Sequence, residues 1–159
     1  MVDENMLDAA NLLSADYERN ALLGMGYQYF PSRFGPVSLG FEAGVAGRFG
    51  NNSSGEVWGG VVGRHDGVPL GKAKITPSFT FGLSHVTQSQ EGRERDHEDE
   101  RDGNARTLFY LAPELAISVD ARPEVEVFWR LHHRSGAWGT LGDMRGGSNA
   151  NVLGLRYKF

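Results

Sequence analysis

Between Pro123 and Ser135 the side chains alternate with period two, which is the repeat of an extended strand. Val125, Val127, Trp129, Leu131, His133 and Ser135 fall on one face, and Glu124, Glu126, Phe128, Arg130, His132 and Arg134 on the other. The last segment repeats the pattern, with Leu153, Leu155, Tyr157 and Phe159 opposite Gly154, Arg156 and Lys158. A half-buried strand of a soluble sandwich would turn its apolar face to a core and a merely wet face to solvent. Here the polar face carries groups that pair as ions, so the pattern suits a barrel with a charged lumen and an apolar exterior.

The same alternation recurs upstream. Strands are expected over about 20–30, 36–49, 56–65, 72–87, 107–119, 123–135 and 151–159, with 1–19 read as a loop. The second sets Val37, Leu39, Phe41, Ala43, Val45 and Phe49 against Ser38, Gly40, Glu42, Gly44, Ala46 and Arg48. The fourth sets Ile75, Pro77, Phe79, Phe81 and Leu83 against Lys74, Thr76, Ser78, Thr80 and Gly82. Pro77 and Pro113 interrupt otherwise regular strands and imply a missing ladder bond at each position. Inward Glu42, Glu114, Glu124 and Glu126 are expected to pair with Arg48, Arg130 and Arg156 inside the barrel.

The connections alternate in length. PSRFG, GVPLG and DARP are short turns, whereas Gln88–Arg106 and Gly136–Ala150 are long. Short turns at one end and long loops at the other are the habit of outer-membrane barrels. Seven strands leave an odd count, where single-chain bacterial barrels have an even one. The expectation is therefore an all-β, antiparallel up-and-down outer-membrane β-barrel of the eight-stranded type, forming one domain, with its first strand and a signal peptide lying before Met1. Gln88–Arg106 (QSQEGRERDHEDERDGNAR) reads as a solvated loop on its mixed charge.

Composition narrows the function. The chain has 159 residues, 22 glycines, no cysteine and a net charge of -4, so there is neither a disulfide framework nor a cysteine metal site. Its arginines are scattered rather than gathered in a basic stripe, which sets nucleic acid aside as a partner. Mean hydropathy is -0.39, and no apolar run reaches the roughly 18 residues of a membrane helix, which excludes helical spanning but not a barrel. His65 and His85 stand isolated and suggest no metal site, and no cofactor is implied.

Chemistry gathers at the C-terminal hairpin. His133 and Ser135 share the apolar face at the long-loop end of their strand, within reach of one another. Asn151, of the same parity on the last strand, is placed to orient the imidazole. The order His-x-Ser, a glycine-rich loop, then a polar residue opening a final strand that ends in an aromatic resembles the outer-membrane lipid A 3-O-deacylases. The resemblance is carried by about the last 37 residues and extends to the rest as barrel pattern.

That resemblance implies an eight-stranded barrel in which a His-Ser-Glu triad faces lipid near the outer rim and cleaves an acyl ester of lipid A. It implies His133 as general base and Ser135 as nucleophile, with Asn151 where the family has its glutamate. The family's asparagine after the serine is Gly136 here. Backbone amides of the following loop, at Gly136 and Gly139, are then the oxyanion donors, and Arg134 and Arg145 the substrate-binding cations. Lipopolysaccharide in the bacterial outer membrane is the implied partner, and a homodimer is left open. Two rivals stand beside this reading: a structural or lipid-binding barrel without activity, and a soluble lipocalin-like carrier, against which the inward charges argue.

Overall fold

A computed structural model of the chain describes residues 19–100 and 102–159. The expected loop over 1–19 thus lies outside the described residues except for Arg19. The chain is all-β, with 67% of it in strands and 5% in helix, and a single antiparallel sheet curls into a half-barrel. Seven long strands follow one another: β1 (Ala21–Phe34), β2 (Val37–Phe49), β3 (Ser54–His65), β5 (Ala73–Val86), β6 (Thr107–Val119), β7 (Arg122–Ser135) and β8 (Gly147–Tyr157). A three-residue strand, β4 (Val68–Leu70), pairs only with the start of β5. Each long strand pairs with its sequence neighbour, while β1 and β8 end the order. The two edges approach where Tyr27 stacks on Phe159, with ring centroids 6.0 Å apart.

Both prolines occupy places where a donor is not demanded. The β3 partnership with β5 ends at Arg64↔Ser78 and that of β4 begins at Val68↔Ile75, so Pro77 sits in the gap between them. Pairing of β6 with β7 lapses between Leu111↔His133 and Glu114↔Arg130, at Pro113. Turns at one end are tight: β1 and β2 are separated by two residues, as are β6 and β7. The opposite end carries the connections 50–53, 87–106 and 136–146. Among the described residues no helix is long and apolar enough to cross a membrane, which says nothing about crossing by strands.

Facing follows the alternation. Leu153 and Leu155 are 78% and 76% exposed, and Leu23, Met25, Phe41, Val45, Val61, Phe81, Ile117 and Val127 stand out from the same surface. Apolar side chains thus dominate the outer wall, while the ionic groups turn inward. The interior is polar and layered. Nearest the tight turns, Glu126 receives Arg64 at 2.6 Å and Lys158 at 2.9 Å, and Arg156 bridges it to Glu114. In the middle, Arg130 spans Glu42 at 2.5 Å and Glu114 at 2.7 Å. Trp58 lies against Gly44, where any Cβ would fall 2.1 Å from its ring, and donates its indole N–H to Glu42 at 2.9 Å.

Of the expected lumen ions, Glu42, Glu114, Glu126, Arg48, Arg130 and Arg156 join this network. Glu124 is half-buried beside the turn, where its carbonyl accepts the Lys158 amide. Glu56, Arg64, His132 and Arg134 complete the set. The lumen keeps a cavity of about 690 Å³ on the β1 and β8 side, lined by Trp58 and Phe128 as well as by Glu42, Arg64, Arg130 and Arg156.

The charged run departs from its expected character as a solvated loop. It folds over the mouth of the half-barrel as a short helix, α1 (Arg93–Asp99), and buries Ser89, Gln90 and Glu94. The cause is electrostatic. Arg48 and Arg134 bring two guanidiniums to this end of the lumen, and Glu94 bonds to both, at 2.8 Å to Arg48, while also accepting the Gln90 amide at 2.7 Å. Burying unpaired cations would cost several kcal/mol each, so the acid is drawn in. Glu98 closes the segment by accepting the Ala105 amide at 2.9 Å and the Ser89 hydroxyl.

Candidate active site

β7 carries the site because its alternation sends consecutive residues through opposite sides of the wall. His133 and Ser135 face outward with Trp129, while His132 and Arg134 face the lumen. Across the ladder to β6, His133 stands opposite Leu111 and Ser135 opposite Phe109. On the other side His133 stands opposite Asn149, and Ser135 opposite Gly147. His133 Nδ1 lies 2.6 Å from Asn149 Oδ1. An amide oxygen only accepts, so Nδ1 carries the proton and the Nε2 lone pair is left as a base. Asn149 is 2% exposed, which keeps water from competing for that bond.

These residues open into an exterior groove of about 480 Å³. Phe81, Phe109, Leu111 and Trp138 supply its apolar walls, His133, Ser135 and Asn149 its polar floor, and Arg93 and Arg145 its cations. The Ser135 hydroxyl oxygen accepts the Ala137 amide at 3.1 Å, which fixes the start of the loop and leaves the O–H to donate elsewhere. Among the described residues no hydrogen bond joins Ser135 to His133. The two share the groove without being joined.

Three expected placements are corrected. Asn151 is not the partner of the imidazole: it stands opposite Leu131, and its side-chain oxygen accepts the Trp129 indole N–H at 3.0 Å. The last strand begins at Gly147 rather than at 151, so the residue opposite His133 lies two positions earlier, at Asn149. Extending the same parity back to Gly147 would have found it.

Arg134 is not on the substrate side. It is 1% exposed, points inward, and is held by Glu94, by Ser84 at 2.9 Å and by the Ala105 carbonyl at 2.8 Å. His132, its neighbour in the lumen, bonds Glu56 at 2.8 Å and packs edge-on to Trp58.

The loop glycines spend their amides within the loop. Gly136 N–H donates to the Gly146 carbonyl at 3.3 Å and Gly139 N–H to the Met144 carbonyl at 3.0 Å, so neither faces the groove as an oxyanion donor. Gly136 is also a steric requirement, since a Cβ there would lie 2.1 Å from the Met144 carbonyl oxygen. Gly139 has φ of 96°, and Asp143, φ 51°, is exposed at the loop's far side. Arg145 lines the groove. Arg93 joins it from α1, a residue that a solvated reading of the charged run passes over.

His65 and His85 remain separate. His65 Nδ1 accepts the Gly67 amide at 3.0 Å in the turn, and His85 bonds Thr107 at 2.8 Å on the exterior. Among the described residues no group of three or more His, Asp or Glu is arranged to hold a metal ion.

Fold and groove together define an antiparallel half-barrel with an ionic interior and a histidine, serine and asparagine site on its apolar outer wall. No protein-family model, curated protein or solved structure matches the chain.

Proposed function

We propose that the chain is an outer-membrane β-barrel of the eight-stranded type that hydrolyses an acyl ester of lipopolysaccharide, in the manner of the lipid A 3-O-deacylases. The observation that carries this reading is the His133–Asn149 bond in a groove that also holds Ser135 and opens on the apolar exterior. The same pair in the lumen would meet no lipid. On the exterior, acyl chains that lie along Phe81, Phe109 and Leu111 bring an ester to the serine.

The membrane address is supported by the exterior apolar band, the ion-paired lumen and the segregation of tight turns from long connections. Hydrocarbon does not tolerate unpaired strand edges, so in a bilayer the edges of β1 and β8 would have to be paired or covered. The long connections then face outward, which puts the groove in the outer leaflet beside lipid A.

Ser135 Oγ attacks the ester carbonyl carbon as its proton passes to His133 Nε2. Collapse of the tetrahedral adduct breaks the ester C–O bond, and the imidazolium returns the proton to the departing sugar alkoxide. Water, deprotonated by the same nitrogen, then attacks the acyl-serine and releases the fatty acid, restoring the hydroxyl. Asn149 holds the ring and its tautomer throughout. As a neutral group it orients the imidazolium without stabilising it by charge.

The test is mass spectrometry of lipid A after incubation with the protein and with its Ser135→Ala variant. Loss of one acyl chain with the first and not the second is the expected result. An unchanged lipid profile with the unsubstituted protein would leave a structural or lipid-binding barrel as the better reading.

A further inference from the structure

The connection between β7 and β8 folds inward at most points and outward at one. Met144 is fully buried against Ala105 and Leu108, with Leu141 packed beside them. The amides of Asn104 and Leu141 donate to the Gly142 and Gly136 carbonyls at 2.7 and 3.0 Å, which ties the loop to itself and to the segment after α1. Trp138, by contrast, is 89% exposed and stands at the rim of the groove. The loop thus buries its methionine and turns its largest apolar side chain out.

That outward pose is held against the backbone's own preference. Ala137 and Trp138 both lie in the left-handed region, with φ of 48° and 58°, where a residue with a Cβ is disfavoured. Two such residues in succession persist only because the surrounding bonds over-determine them, and conformations of this kind gather where a ligand or partner is met. The Thr140 amide and hydroxyl both donate to the Ala137 carbonyl, at 3.3 and 2.8 Å. The Ala137 amide goes to Ser135 Oγ, so the turn that presents the indole also fixes the serine.

Indole is apolar over its face and carries one N–H, a combination that concentrates at the boundary between lipid head groups and acyl chains. Trp138 lines the groove together with Phe81, Phe109 and Leu111, and Phe81 belongs to the exposed apolar surface of the wall. The ring therefore continues that surface past the end of β7, on the side of the long connections. Trp129 shares the outer face of the same strand six positions before Ser135, which at the rise of an extended chain is about 20 Å nearer the tight turns.

We infer that Trp138 is an interfacial anchor: it enters the head-group boundary of the leaflet on the long-connection side and sets the depth at which Ser135 meets lipid. The partner is the bilayer surface as a whole rather than one lipid. The inference rests on the membrane address proposed above and not on hydrolysis.

The experiment is tryptophan fluorescence of the full chain in phosphatidylcholine vesicles whose acyl chains carry bromine either near the head group or near the methyl end. The chain has three tryptophans, of which Trp58 is buried in the lumen. The difference between the unsubstituted and Trp138→Phe proteins therefore isolates Trp138, and the quenching left in Trp138→Phe reports Trp129. Trp138 is expected to lose more of its fluorescence to the shallow bromines than to the deep ones, and Trp129 more to the deep. Iodide in the water phase should quench Trp138 less than it quenches free tryptophan.

Quenching of Trp138 by iodide as in free tryptophan, with Trp129 still quenched by the deep bromines, would overturn the anchor and leave the membrane address standing. A Trp138 signal lost equally to shallow and deep bromines would also overturn it, because the indole would then have no fixed depth. No response of either tryptophan to brominated lipid would reject the anchor and the membrane address together. Shallow quenching of Trp138 in a protein that hydrolyses no lipid would uphold the anchor and reject the esterase.

Discussion

His133 and Asn149 face each other across the β7–β8 ladder, with Nδ1 and Oδ1 2.6 Å apart. That one bond decides which ring nitrogen can act, so Asn149→Ala is expected to lower kcat by about 100-fold or more, the scale of general-base assistance. Asn151→Ala, which removes the acceptor of the Trp129 bond instead, should leave turnover near the unsubstituted level. Release of fatty acid from lipid A, followed over time for both variants, separates them. Equal losses would return Asn151 to the site.

Leu153→Arg and Leu155→Arg test the membrane address independently of any activity. In a bilayer a cation on the outer wall near mid-depth costs roughly 2–4 kcal/mol, while in a water-soluble protein the same exposed positions would accept arginine with little effect. Denaturant unfolding in lipid vesicles should show the larger loss. An unchanged midpoint for both variants would contradict a lipid-facing exterior.

Arg134→Met leaves Glu94 and Glu56 facing a lumen with less positive charge. Removing one partner of a buried pair costs about 3–5 kcal/mol, so a marked fall in Tm is expected in detergent. Adding Glu94→Gln to the same protein should recover part of the fall, because it removes the excess negative charge and leaves Arg48 facing Glu56. A double variant no better than the single would mean that the Arg134–Glu94 contact contributes little.

Gly136→Ala should injure the groove and spare the barrel. Its Cβ cannot be placed without displacing the Met144 carbonyl, which also receives the Gly139 amide. Far-ultraviolet dichroism is expected to stay that of the unsubstituted protein, while protease cuts the connection 136–146 faster and hydrolysis falls. Normal activity in this variant would show that the loop's conformation is irrelevant to the site.

Much of this arrangement is legible in the chain because period-two alternation needs no partner to be seen. Val125 to Ser135 and Leu153 to Phe159 declare their outward faces, and Glu42, Glu114 and Arg130 their inward ones. What escapes is whatever depends on a second segment. Asn149 is hidden because the start of β8 at Gly147 falls among glycines and polar residues that look like loop, and a strand start sets which residue lies across the ladder.

Arg134 has the correct facing by parity, yet its role is set by Glu94, 40 positions away in sequence. The helix in the charged run is invisible for the same reason: alone, RERDHED has every mark of a solvated stretch, and only two arginines contributed by β2 and β7 give Glu94 cause to be buried. The amides of Gly136 and Gly139 look available in sequence because the carbonyls that take them belong to the same loop's far end.

Arg134 sits between His133 and Ser135 on a single extended segment, rooted in the interior while its neighbours look out. A two-sided wall of this kind makes the outward His133–Ser135 pair and the ionic interior share one set of backbone torsions. Evolution or engineering therefore cannot alter the outward pair and the enclosed ions as separate modules. Changes on the two sides should prove non-additive, and substitutions that repack the outward face should call for compensating ones among the enclosed ions.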